Sequence, residues 1–193
     1  MFINKNTAPL LISIFLLTGF SAQADEKVKV TLHGKPLTLA ENIIEVGKPL
    51  PDISLPDILT SQVALNSFKG KVTILSVVPS IDTPTCEKQT HILSEEDEGL
   101  DQTANLVTVS RDLPFAQKRF AKEANINNIL FLSDYREAEF GRASGLLIQE
   151  NRLLARTVMV IDREGIIRYM EIVSELSQLP DMKKVFAFAK SLQ

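Results

Sequence analysis

The sequence predicts an α/β fold, with a mixed central sheet flanked by helices and entered through an N-terminal β-hairpin. Two patterns carry this reading. Short β-branched apolar runs alternate with helical stretches through the middle of the chain, and two further strands joined by a four-residue turn precede a last helix. Composition agrees: 45% of the 193 residues are hydrophobic and 23% charged, an ordinary globular balance. A net charge of -3 and a pI near 5.5 argue against a general nucleic-acid binder, which needs a concentrated basic surface. The single Cys excludes an intrachain disulfide, a CxxC redox pair, a cysteine zinc cage and an iron–sulfur site. Two His exclude a metal site built from several histidines. No cofactor is implied.

The chain opens on a targeting segment. Lys5 supplies a positive start without acids, Ala8 to Phe20 is an apolar run, and Ser21-Ala22-Gln23-Ala24 ends in a small-x-small pattern. The apolar run has 13 residues, short of the roughly 20 that span a bilayer. Residues 1–24 therefore read as a signal peptide cleaved after Ala24, and 25–193 as one domain of 169 residues (193 less 24), periplasmic or secreted. In such a compartment paired cysteines normally become disulfides. A lone Cys there is either an inert buried side chain or one kept for its reactivity.

The elements follow in order. Val28 to Leu32 and Pro36 to Leu39 form a hairpin around His33-Gly34-Lys35. Glu45 to Pro56 is extended loop, and Val63 to Phe68 a short strand or turn. Lys71 to Val78 is a strand covered on both faces. Thr83 then caps a helix with Pro84 in its first position, running to about Leu100. The acidic run Glu95-Glu96-Asp97-Glu98 at its end reads as a solvated face. Asn105 to Ser110 is a second core strand, Pro114 to Ala124 a helix opened by Asp112 and Pro114, and Ile129 to Leu132 a third strand. Glu137 to Ala143 is short and helical. Arg156 to Asp162 and Ile166 to Ile172 pair across the Asp162–Gly165 turn. Pro180 to Leu192 is an amphipathic helix with Val185, Phe186 and Ala189 on one face.

Cys86 falls where a core strand meets a helix N-terminus, whose unpaired N–H groups favour a thiolate over a thiol. A free thiol titrating near ~8.5 is about 3% ionised at neutral pH. Bringing it to ~6 makes it about 90% ionised and requires roughly 3.4 kcal/mol. One helix terminus supplies about 1 kcal/mol. A second positive group is needed, and an inward-facing Arg suits because it stays charged.

Pro79, Thr83 and Cys86 stand in the spacing P-x-x-x-T-x-x-C. With this pattern the chain resembles the peroxiredoxins, thioredoxin-fold peroxidases. Ser110-Arg-Asp-Leu-Pro-Phe-Ala-Gln-Lys-Arg-Phe120 is similar to a block of the bacterial thiol peroxidase branch, as are Pro79–Thr83 and Ala155–Asp162. The resemblance covers roughly Val28 to Lys190 and implies a thioredoxin-like fold. It also implies an antioxidant peroxidase acting on hydrogen peroxide and organic hydroperoxides, with an external thiol reductant (a thioredoxin-like protein or small thiol) and a homodimer.

The resemblance assigns roles to four residues. Cys86 is the peroxidatic nucleophile, Thr83 hydrogen-bonds thiolate and peroxide, Pro79 shapes the pocket, and Arg156 stabilises the thiolate and the charge developing on the peroxide oxygens. One position departs from the branch: its resolving Cys follows the R-F pair, where this chain has Ala121. The resemblance then implies a one-cysteine cycle, with the sulfenate reduced from outside or paired with Cys86 of another chain. A stoichiometric peroxide sensor and a non-catalytic thioredoxin-fold binding module are the alternatives. Arg119 and Glu139 read as structural pairs near the site, His33 and His91 as surface or capping side chains, and Phe115, Phe120 and Phe140 as core, with Phe120 also able to line a peroxide pocket.

Overall fold

The computed structural model describes Met1 and residues 28–193; the rest of the signal segment expected over residues 1–24 lies outside the described residues. Strands β1 (Val30–Leu32) and β2 (Lys35–Leu37) form the expected hairpin, with His33 and Gly34 both at positive φ in its two-residue turn. A second hairpin, β3 (Ser54–Pro56) and β4 (Gln62–Ala64), replaces the loop expected up to Pro56. Its turn lacks the usual Gly. The Asp57 carboxylate instead accepts the N–H groups of Leu59 (2.8 Å) and Ser61 (2.9 Å), and Thr60 takes the positive φ.

The remaining strands make one mixed sheet. They are β5 (Thr73–Val77), β6 (Asn105–Ser110), β7 (Leu130–Ser133), β8 (Thr157–Ile161) and β9 (Ile167–Ile172), in the order β7-β6-β5-β8-β9. Strands β5, β6 and β7 are parallel, whereas β8 is antiparallel to β5 and β9 to β8. The helices are α1 (Pro84–Glu95), α2 (Pro114–Glu123), α3 (Glu139–Ala143) and α4 (Met182–Ser191). The mixed sheet, its flanking helices and the N-terminal hairpin are those the sequence predicts.

Strand periodicity divides the core into two layers. Ile74, Leu106, Phe131, Val158 and Val160 face Leu93 of α1, Ala121 of α2 and Val185, Phe186 and Ala189 of α4. Their alternates Leu75, Val77, Val107, Val109, Leu132, Met159 and Ile161 face the other way, onto Val30, Leu55, Phe140 and Leu154. Both faces of the sheet are thus covered, which explains why the central strands read as unbroken apolar runs.

Two helix-end expectations are corrected. Helix α1 stops at Glu95, because the buried Asp97 carboxylate accepts Gly99 N–H (3.1 Å) and Asp101 N–H (2.9 Å) and starts a separate 3-10 turn, Leu100–Gln102. Asp97 is therefore not part of a solvated face, while Glu98 is, paired with Lys190. Helix α2 begins after Leu113, which has extended backbone as expected before a proline, and has no side-chain cap. Asp112 is used elsewhere.

Candidate active site

Strand β5 ends beneath the site, and the segment Val78–Thr83 carries the chain from it to α1. Three anchors fix that segment. Val78 N–H donates to the Val109 carbonyl (3.0 Å), tying it to β6. The Asp112 carboxylate accepts the Ser80 hydroxyl (2.7 Å) and the Ile81 N–H (2.8 Å). The Ser133 hydroxyl, at the end of β7, in turn donates to the Asp112 carbonyl. Pro79 is buried within the segment, where its fixed φ and missing N–H suit a turn leaving a strand.

Thr83 occupies the N-cap of α1 with extended backbone, and its carbonyl accepts Glu87 N–H (2.9 Å). Its hydroxyl donates to the Ser80 carbonyl (3.0 Å) and does not cap the helix. Pro84 has no N–H to offer. The N–H groups of Thr85 and Cys86, in the first turn, have no intrahelical acceptor and remain directed out of the N-terminus. Cys86 is completely buried and packs with Val78 and Ile81, with Phe120 closing the cluster from α2.

Arg156 comes from the residue before β8. Because β8 is antiparallel to β5 and Thr157 pairs with Val77, Arg156 emerges beside the point where β5 gives way to the active segment. Its side chain is the largest of the fully buried ones, only 2% exposed. Every nitrogen is engaged: Nη2 donates to Cys86 Sγ (3.3 Å), Nη1 to Gln89 Oε1 (2.6 Å) and Nε to the Leu176 carbonyl (3.0 Å). Gln89 is buried and passes its own amide to Ser76 Oγ (2.8 Å) on β5. Among the described residues no carboxylate lies within ion-pair distance of Arg156. A guanidinium stays charged, and leaving one buried without a counter-ion costs several kcal/mol. The partner in contact that can carry a negative charge is the Cys86 sulfur.

A cleft of about 300 Å³ opens beside this cluster, lined by Ile81, Asp82, Glu87, Phe120, Glu123 and Ala124. Phe120 is half-buried and stacks edge-on against His91 and Phe131. Phe140 is core, as expected, but Phe115 is 69% exposed. Phe115 shares the outer face of α2 with exposed Lys118 and Lys122, at spacings of three and seven. Arg119 pairs with Asp82 across 3.8 Å at the rim, and Glu139 makes no ion pair among the described residues. His91 lies beside Glu95 (2.6 Å) and His33 sits in the hairpin turn, both away from the sulfur's hydrogen bonds.

The structure thus brings Cys86 and Arg156 together, with Pro79 and Thr83 in the segment leading to Cys86. Sequence reasoning missed Gln89, Ser76 and Asp112. Gln89 had a usable signal, since it lies three residues beyond Cys86 on the same helical face. Asp112 was disguised by its place before a helix.

The Redoxin family model matches residues 45–186, a span that includes all four of the sequence-selected residues. A thiol peroxidase of Halalkalibacterium halodurans is 44% identical over 84% of this chain and 97% of its own. One of Bacillus subtilis is 42% identical over 85% of this chain and 98% of its own. The chain belongs to the Redoxin family, in its thiol peroxidase branch. Among solved structures, a peroxiredoxin-like protein from Aquifex aeolicus superposes with a TM-score of 0.80 at 34% identity, covering 86% of this chain and 98% of that one. A thiol peroxidase from Chromobacterium violaceum, at 21% identity and a TM-score of 0.74, shares the fold. Ala121, which stands where the sequence resemblance implies a second cysteine, is 7% exposed on the core side of α2.

The Asp112 clamp yields a test. Asp112→Ala removes the acceptor for both the Ser80 hydroxyl and the Ile81 N–H. The expected loss is about 1–3 kcal/mol of stability, read as a lower urea midpoint with an unchanged denaturant slope.

Proposed function

We propose that this Redoxin-family chain is a thiol-dependent peroxidase that reduces hydrogen peroxide and organic hydroperoxides with Cys86 as its single peroxidatic residue. The observation that carries the reading is the 3.3 Å contact from Arg156 Nη2 to Cys86 Sγ, with no carboxylate within ion-pair distance of Arg156 among the described residues. The Cys86 thiolate attacks the terminal peroxide oxygen. The S–O bond forms as the O–O bond breaks, and the bonding pair leaves on the second oxygen as hydroxide or alkoxide, which takes a proton from water. Sulfur is oxidised to a sulfenic acid and the peroxide reduced to water or an alcohol. Charge moves from sulfur toward the departing oxygen, so donors aimed at both ends lower the barrier.

Arg156 is suited to that task because its planar fork already spans Cys86 and Gln89. The free N–H groups of the first turn of α1 add to it. Pro79 limits water behind the segment, and Thr83, whose hydroxyl hydrogen goes to the Ser80 carbonyl, offers its oxygen as an acceptor for the O–H of a hydroperoxide and not as a donor to the thiolate. Phe120 gives the adjoining cleft an apolar wall, which supports acceptance of organic hydroperoxides. With Ala121 in place of a resolving cysteine, a first external thiol converts the sulfenic acid to a mixed disulfide and water, and a second releases the Cys86 thiol and an external disulfide.

Cys86→Ser is expected to abolish peroxide consumption in the presence of excess dithiol, whereas the unaltered chain turns over many times. Consumption of one peroxide per chain would favour the sensor reading, and retained turnover in the Ser variant would sink the enzyme. Arg156→Lys keeps a charge but loses the fork. Its peroxide reaction is expected to slow on the order of 10²-fold in stopped-flow measurements; an unchanged rate would remove Arg156 from the mechanism.

Two further features of the proposal concern the mature protein. The Ser21–Ala24 pattern supports export to the periplasm or medium with Asp25 as the new N-terminus. Exposed Leu113 and Phe115, adjacent at the start of α2, support a homodimer joined near the site. Intact mass of the exported chain should begin at Asp25, and sedimentation should give twice the chain mass, falling to one with Phe115→Ser. A retained leader or a monomer at micromolar concentration would refute the corresponding part.

A further inference from the structure

We infer that Glu175 is a positioning residue for the Cys86 site, acting through the backbone of Leu176 and Ser177; this deepens the peroxidase reading and rests on it. Glu175 lies in the loop after β9, far from Cys86 in sequence, and does not touch the sulfur. Five donors converge on its carboxylate. Oε1 accepts His33 N–H (3.0 Å), Ser177 N–H (3.1 Å) and the Ser177 hydroxyl (2.8 Å). Oε2 accepts Gly34 N–H (3.1 Å) and the Thr31 hydroxyl (2.9 Å). Positive φ at both His33 (51°) and Gly34 (75°) turns two consecutive N–H groups toward the same carboxylate. Such a turn is an anion cradle, and here it is filled by a side chain of the same protein. The Gly34 N–H, then the Ser177 hydroxyl and the other donors, hold the Glu175 carboxyl well below the usual range, so it stays ionised wherever the enzyme works.

What this clasp fixes is the loop that orders the guanidinium. The residue after Glu175 gives its carbonyl to Arg156 Nε (3.0 Å), and the next gives its carbonyl to the Thr85 hydroxyl in the first turn of α1 (3.4 Å). Two backbone bonds, Thr31 N–H to the Ser174 carbonyl (2.7 Å) and Leu176 N–H to the Thr31 carbonyl (2.9 Å), lay the loop along β1. The path is therefore continuous: hairpin turn, Glu175, the Leu176 carbonyl, Arg156, sulfur. The N-terminal hairpin contributes no side chain to the site, yet it supplies three of the five donors that hold the loop.

Glu150 provides the control. Its carboxylate accepts Thr38 N–H (2.9 and 3.0 Å) and so clips the far end of the same hairpin to the segment before β8, with no bond to the Arg156 loop. The rate of Cys86 alkylation by iodoacetamide as a function of pH, and the peroxide rate at neutral pH, are to be measured in full-length wild type, Glu175→Ala, Glu175→Gln and Glu150→Ala. Glu175→Ala is expected to move half-maximal alkylation to higher pH and to slow the peroxide reaction roughly tenfold. Glu175→Gln keeps one carbonyl oxygen for three donors and should fall between, while Glu150→Ala follows wild type. Wild-type behaviour in Glu175→Ala, or an equal displacement in Glu150→Ala, overturns the inference. Should the Ala variant not fold, the Gln variant decides alone, and a wild-type alkylation profile there overturns it. A wild-type chain that alkylates but does not consume peroxide would instead fail the peroxidase reading, leaving the alkylation comparison to judge Glu175.

Discussion

A guanidinium enclosed by protein, with no carboxylate within ion-pair distance among the described residues, is the constraint around which the site is built. Arg156 donates to a sulfur, an amide oxygen and a carbonyl. The last two are neutral dipoles that satisfy its hydrogens without cancelling its charge. Taking a cation out of water is expensive, and dipoles return only part of that cost. A carboxylate in place of Gln89 would have neutralised the group and left nothing over for Cys86. The neutral Gln89–Ser76 chain instead orients the fork while keeping its field available to the sulfur. The charge left at this site therefore favours an anion beside it, including the oxygen on which charge develops as a peroxide reacts.

Strand order delivers that arrangement. A parallel neighbour on each side of β5 would send both adjoining strands toward the same end of the sheet. With β8 antiparallel, the residue entering β8 lies beside the residue leaving β5. A strand entrance is thereby brought against a strand exit and a helix start. The long-range β5–β8 register, fixed by two layers of apolar packing, sets the sulfur–guanidinium separation more firmly than loop contacts alone would. The active segment is then pinned from the other side by Asp112, at the end of β6. Neighbours on both sides of β5 thus hold the site, one through a cation and one through an anion.

How far the sequence disclosed this depends on the range of the interaction. The central strands were legible because each is buried on both faces and so reads as a continuous apolar run. Cys86, Pro79 and Thr83 were legible because they are local to one strand–helix junction. Arg156 was reached by its resemblance to a family position, since nothing in the Arg156–Asp162 run distinguishes a buried Arg from an exposed one at a strand end. The β3–β4 hairpin escaped because its turn relies on a single Asp and a Thr at positive φ, not on Gly. Asp112 and Asp97 were misread for a shared reason: a short acid near a helix end looks like a cap or a solvated face until the fold shows which N–H groups it meets. Glu175 escaped because three of its five donors are supplied by a hairpin more than a hundred residues earlier.

The absence of a second cysteine shifts the difficulty of the cycle from the first step to the second. A peroxide is small and meets a sulfur already held beside the guanidinium fork. The sulfenic acid is attacked by a thiol that must approach in line with the S–O bond, and the Cys86 sulfur is wholly enclosed. A partner larger than a peroxide therefore reaches it only when neighbouring chain moves aside. The first turn of α1 is held by few bonds. Pro84 contributes no N–H, Thr85 and Cys86 have no intrahelical acceptors, and the hydroxyl bond from Thr85 to Ser177 is long at 3.4 Å. The unsatisfied donors that make the helix start a good place for an anion are, for the same reason, few bonds to break when the sulfur must be shown to a reductant. Placing Cys86 in that turn serves both halves of the cycle without a second thiol.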